Sequence, residues 1–135
     1  MSAPAKILIV DDDPVLRMVA GEMLRQSGFE VDEAEDGVVA VRRLELWTYD
    51  LVLVDMLMPN KEGIETIREI KAKWPATRLV AISGGGKGLN TDYLLKVAKS
   101  FGADAVFQKP IRATGFLEIV SGVLGGEPPA ARQSA

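Results

Sequence analysis

The sequence predicts an α/β fold, a doubly wound five-stranded parallel sheet with helices on both faces. Two observations predict it. Short runs that are apolar at nearly every position recur along the chain, as in strands covered on both sides. Between them lie amphipathic helical periods, so that strand and helix alternate strictly, five of each, in the pattern of right-handed crossovers.

The elements follow in order. Ile7 to Val10 is the first apolar run. Leu16, Val19, Ala20, Met23 and Leu24 then keep the spacing of one buried helical stripe. Asp13 is placed to cap that helix, Pro14 to occupy its first position and Gly28 to close it. Phe29 to Glu33 alternates apolar and acidic residues, which predicts an edge strand with one face partly in water. Weaker helical stripes follow at Ala40, Val41 and Leu44, at Ile64, Ile67 and Ile70, at Leu94, Val97, Ala98 and Phe101, and at Phe116, Leu117, Val120 and Leu124. They are separated by the central runs Leu51 to Val54, Leu79 to Ile82 and Ala105 to Phe107. Residues 1–5 and 125–135 are expected to be disordered termini around one domain spanning 6–124, the second being rich in Gly and Pro with almost no large apolar side chain.

Composition narrows the function. The 135 residues suit one compact domain, and 47% of them are hydrophobic, too many for a disordered chain. No apolar run approaches the roughly 20 residues of a membrane span, so no membrane insertion is expected. The opening residues lack a signal-peptide core, which predicts a cytoplasmic protein. Without cysteine or histidine there is no thiolate or imidazole chemistry, which removes most hydrolase mechanisms. A net charge of -3 without a cluster of Lys and Arg predicts no direct DNA binding.

In open parallel sheets, function gathers beyond the carboxyl ends of the strands. Here the first strand runs into Asp11-Asp12-Asp13, the third into Asp55, the fourth into Ser83 and the fifth into Gln108-Lys109-Pro110. Carboxylates, a hydroxyl and an ammonium therefore converge. Crowded carboxylates repel, and a divalent cation with oxygen ligands resolves the conflict, which points to Mg²⁺ or Mn²⁺. With charge neutralised in this way, Asp55 can attack phosphorus and form an acyl phosphate. Lys109 and Ser83 would offer a positive charge and a hydroxyl donor to phosphoryl oxygens.

In combination these motifs resemble the receiver domain of bacterial two-component response regulators, the fold of stand-alone chemotaxis regulators, over roughly Lys6 to Leu124. The resemblance implies the strand order 2-1-3-4-5 of a flavodoxin-like (β/α)5 fold. It also implies Asp55 as phosphoacceptor and Asp11, Asp12, Asp55 and the Leu57 backbone carbonyl as metal ligands. Ser83 and Lys109 take the positions of the switch hydroxyl and catalytic lysine, and Pro110 that of a proline after a cis bond. Gly63 stands where the family places a glycine. The family's switch aromatic, a Tyr or Phe three residues before the lysine, is here Val106. Leu57 puts an apolar side chain where a polar one would help an attacking water, which predicts a long-lived acyl phosphate, and the glycines from Gly84 to Gly88 predict a loop that rearranges at low cost.

Taken singly, each feature has an ordinary reading: capping for Asp11 to Asp13, a turn for Asp55, loop punctuation for Lys109-Pro110 and a loop hydroxyl for Ser83. The segment Ser83 to Gly88 is not a Walker motif, because Gly88 follows Lys87 where Ser or Thr is required. Three functions are compatible with the pattern. The first is a phospho-switch, not an enzyme in its own right. Its phosphodonor is a sensor histidine kinase or histidine phosphotransfer protein, and its surface around the fourth helix, fifth strand and fifth helix acts on an unknown protein target. Regulator, phosphorelay shuttle and phosphate sink all fit it, as do monomer and weak dimer. The second is a phosphorylation-independent adaptor. The third, a Mg²⁺-dependent aspartyl-phosphate phosphatase of the haloacid dehalogenase kind, wants a general-acid Asp where Leu57 stands.

Overall fold

The computed structural model describes residues 4–56, 63–84 and 91–125. Met1 to Ala3, the segment from Leu57 to Glu62 with its Met58-Pro59 turn, the glycines Gly85, Gly86 and Gly88, and the tail 126–135 lie outside the described residues.

The chain runs β1 (Lys6–Val10), α1 (Pro14–Gln26), β2 (Glu30–Ala34), α2 (Gly37–Leu46), β3 (Leu51–Asp55), α3 (Gly63–Lys73), β4 (Arg78–Ser83), α4 (Thr91–Ser100), β5 (Ala105–Gln108) and α5 (Ala113–Leu124). All four strand pairings are parallel, in the order β2-β1-β3-β4-β5. The expected architecture and order are those observed.

Strand periodicity divides the core in two. Leu8, Val10, Val52, Val54, Leu79 and Ala81 project to one face, where Ala40 and Leu44 of α2, Ile67 and Ile70 of α3 and Ala98 of α4 cover them. Ile7, Ile9, Leu51, Leu53, Val80, Ile82 and Phe107 project to the other, against Ala20 and Leu24 of α1 and Phe116 and Val120 of α5. Full burial of such side chains contributes about 1.5–3 kcal/mol each, which explains why β1 and β3 carry unbroken apolar runs. Among the described residues, no helix is long and apolar enough to cross a membrane.

The first helix departs from its expected stripe. Asp13 caps it as expected, its carboxylate accepting from the backbone N–H groups of Val15 and Leu16, and Gly28 follows the C-cap with φ 96°. The buried residues, however, are Ala20, Gly21 and Leu24, while Leu16 is half-buried and Val19 is exposed. Gly21 faces β2, where a Cβ would stand 3.8 Å from Val31 Cγ1, an ordinary contact distance.

β2 begins one residue later than expected, with Phe29 buried ahead of it. Glu30 is exposed, while Asp32 and Glu33 are only half-exposed, because Lys6, Arg17 and Arg25 pair with them. Tyr49, almost fully buried, donates its hydroxyl to Asp32 at 2.6 Å and ties the start of β3 to this edge. Ala5, expected in the disordered N-terminus, is held by its carbonyl, which accepts from Glu30 N. Gly125, expected to open the tail, closes α5 in the left-handed conformation.

Candidate functional site

Strand parity builds the site. On β1, the core positions Ile7 and Ile9 are followed two residues on by Asp11; on β3, Leu51 and Leu53 by Asp55; on β5, Ala105 and Phe107 by Lys109. Each charged residue thus continues the row that faces α1 and α5, one step past the last apolar side chain. Three separate stretches of sequence consequently place their charges at one corner of the sheet.

There the Lys109 ammonium lies 3.5 Å from Asp11 Oδ2 and 3.6 Å from Asp55 Oδ2. Carboxylate oxygens of Asp11, Asp12 and Asp55 fall within 4.8 Å of one another. Asp11 is completely buried and Asp55 nearly so, whereas Asp12 faces solvent. One oxygen of Asp11, Oδ1, accepts from Asp13 N at 2.9 Å. The other, Oδ2, is buried and, among the described residues, accepts no hydrogen bond, its one neighbour of opposite charge being the Lys109 ammonium. Burial drives the Asp11 carboxyl up from 3.8 to about 6; Asp55 and Asp12 push the same way, and the Asp13 amide and Lys109 oppose them.

Among the described residues, three carboxylates against one ammonium leave an excess of negative charge in a partly dry corner, and the buried Asp11 Oδ2 there has only the ion pair with Lys109. This donor set fits a hard divalent cation, which favours one or two carboxylates and retained water. Of the expected ligands, Asp11, Asp12 and Asp55 come together, and the Leu57 carbonyl lies outside the described residues. Asp13 serves as the helix cap. Ser83 ends β4 buried, its carbonyl accepting from Lys109 N at 2.9 Å, and the Lys109–Pro110 bond is cis.

A family model for the response regulator receiver domain matches residues 7–121. The chain belongs to this family. Chemotaxis protein CheY of Listeria monocytogenes is 36% identical over 115 residues, covering 84% of this chain and 92% of that protein. A cyclic di-GMP phosphodiesterase of Thermotoga maritima is 36% identical over 105 residues, 78% of this chain and 27% of that protein, so the chain spans about a quarter of that relative's length. Among solved structures, the response regulator TrrA of Thermotoga maritima in complex with Mg²⁺-BeF is 28% identical, with a TM-score of 0.76 over 88% of this chain and 98% of that one.

Two family positions acquire physical reasons in this receiver. Gly63 opens α3 directly against the end of β3: a Cβ there would stand 1.9 Å from the Asp55 carbonyl oxygen and 2.6 Å from Met56 Cα. Only glycine permits that approach. Val106 packs on the α2, α3 and α4 side and pairs with Ala81, the face that also carries Ser83, while Phe107 turns the other way to meet Phe116 edge-on at 5.4 Å. Phe107 therefore does not stand in for the missing aromatic.

Sequence reasoning missed two features. One is a shallow hollow of about 340 Å³ beside the acidic corner, lined by Asp13, Val15, Leu16, Val19, Lys109, Pro110 and Ile111. Val15 and Met18 on the same helix are 61% and 57% exposed. Its signal was present, since the first half of α1 is apolar on more than one stripe. The other is Arg17, whose guanidinium reaches back to the carbonyl of Asp11.

Proposed function

We propose that this receiver is a phosphorylation switch whose acceptor is Asp55 and whose phosphodonor is a sensor histidine kinase or a histidine phosphotransfer protein. The observation that carries the proposal is the shared hold of Lys109 on Asp11 and Asp55, in which the buried Asp11 Oδ2 has the ion pair but no hydrogen bond among the described residues. Asp11, Asp12 and Asp55 are the side chains that would hold Mg²⁺, which when bound supplies charge neutralisation for the incoming phosphoryl group. A carboxylate oxygen of Asp55 forms the bond to phosphorus as the bond from phosphorus to the donor imidazole nitrogen breaks. Lys109 sits close enough to Asp55 to meet charge on the transferring group, and Ser83, ending the adjacent strand, offers a hydroxyl once the phosphoryl group is in place. The Mg²⁺-BeF complex of the TrrA relative supports the same chemistry.

The donor protein has a surface to dock on. Val15, Met18 and Val19 present an apolar face beside the acidic corner, continuous with the hollow that Lys109 and Pro110 line. A partner seated there brings its phosphohistidine to Asp55 without burying the charged corner itself. The altered output surface around α4, β5 and α5 would then act on a downstream protein. Val106 in place of an aromatic favours a second reading, an adaptor that works without phosphorylation, because ring rotation is unavailable to report on Ser83.

The test is intact mass after incubation with acetyl phosphate and Mg²⁺, for wild type, Asp55→Asn and a chelator control. One acid-stable, base-labile phosphoryl adduct that requires both Mg²⁺ and Asp55 is the expected result. Absence of an adduct in wild type moves the assignment to the adaptor.

A further inference from the structure

Every polar group of Asp11 except one oxygen is held from outside the acidic corner. Its N–H donates to the Ala34 carbonyl at the end of β2, at 3.1 Å. Its Oδ1 accepts from Asp13 N. Its own carbonyl accepts from Arg17 Nη1 at 2.6 Å, a short, charge-assisted bond. Arg17 is itself fixed, with its Nε 3.2 Å from Glu33 Oε1 on β2 and its side chain only 18% exposed. Arg25 approaches the second oxygen of Glu33 at 3.7 Å and donates to the Val31 carbonyl, but is not bonded to Asp11.

The carbonyl that Arg17 grips belongs to the peptide between Asp11 and Asp12. That unit is planar, and its two ends carry the two carboxylates of the corner. Turning the plane would move both at once. We infer that Arg17, braced by Glu33, is a positioning residue that sets the orientation of the Asp11 and Asp12 carboxylates for a divalent cation. The inference rests on the proposed metal-dependent switch and adds a residue one helical turn into α1 to its machinery.

Charge alone gives Arg17 the opposite effect. A guanidinium beside a cation site repels the cation, so its removal should tighten binding if electrostatics dominates. A loss of affinity on removing it can come only from lost geometry. The sign of the change therefore separates the two roles.

Mg²⁺ binding is measured by titrating the amide signals of Asp12 and Asp55 in ¹⁵N-labelled full-length protein, below the onset of unfolding for each variant. Arg17→Met is expected to weaken Mg²⁺ roughly tenfold, the low end for partners that orient a metal ligand. Arg17→Lys, which keeps the charge and one donor, is expected to recover part of the loss. Arg25→Met touches the same glutamate without touching Asp11, so it should leave the affinity unchanged and reports any general weakening of the β2 edge. Affinity in Arg17→Met equal to or tighter than wild type overturns the inference, as does an equal loss in Arg25→Met. If wild type itself gives no Mg²⁺-dependent shifts, the metal site fails first, and the clamp with it.

Discussion

Lys109 stands at almost equal distances from two carboxylates, 3.5 Å from Asp11 and 3.6 Å from Asp55, and Asp11 is completely buried. Its carboxyl is raised from 3.8 to about 6. Between those values the folded chain keeps a proton that the unfolded chain has released. The contribution of Asp11 to stability is therefore full below the lower value and falls as pH rises through the window. A divalent cation would compete with that proton. Thermal unfolding with and without Mg²⁺ should show a large stabilisation at about pH 7.5 and little at about pH 5, where the carboxyl is mostly protonated. Asp11→Asn should raise the stability of the metal-free protein near neutrality and abolish the Mg²⁺ response; a Tm increase from Mg²⁺ that survives in this variant would contradict the assignment. Asp11, Asp12, Asp55 and Lys109 were legible in the sequence because each stands within two residues of the end of an apolar run. Arg17 was not. Its partners are a backbone carbonyl six residues back and a side chain on another strand, and no periodicity announces either.

Elements position these side chains through their ends. Asp13 accepts two backbone N–H groups at the start of α1, so Asp13→Ala should cost about 1 kcal/mol of stability, read from denaturant unfolding. The Asp13 amide would still reach Asp11 Oδ1, so Mg²⁺ affinity should change far less than stability. Gly63 offers a harsher test. An added methyl meets the Asp55 carbonyl at 1.9 Å, contact with backbone that cannot swing aside. Gly63→Ala is therefore expected to cost about 1–3 kcal/mol and to slow phosphorylation by acetyl phosphate, because relief of the clash must move β3 at the acceptor itself. Unaltered stability and rate would show that α3 withdraws freely instead. At this scale the sequence located strands and helices to within a residue or two but misjudged the buried stripe of α1. Packing of the whole helix against the sheet, not the helical period alone, sets that Ala20, Gly21 and Leu24 are the residues buried.

Across the whole molecule, the acidic corner and the exposed apolar face of α1 lie side by side on different groups. On the proposed reading, phosphorylation by a small donor uses only the acidic corner, while a protein donor also docks on the exposed apolar face of Val15, Met18 and Val19. Met18→Glu should therefore leave the acetyl phosphate reaction unchanged and reduce the rate of transfer from a phosphorylated histidine kinase or phosphotransfer domain at least severalfold. Equal effects on both reactions would place the donor elsewhere.

The sequence by itself determined the alternation of five strands and five helices, the doubly wound class, and which residues end the central strands. These follow from local patterns, since periodicity and the polar residue that ends an apolar run are properties of short segments. The tertiary structure decided what depends on distance and direction. It set the reach of Lys109 to two carboxylates, buried Asp11 beside it, turned Phe107 away from Ser83 and made Gly63 obligatory beside Asp55. It also bound Arg17 to the carbonyl between the two acids. Each of these arises where side chains from separate segments meet in a packed interior, and such meetings are fixed by how the elements stack rather than by any one of them.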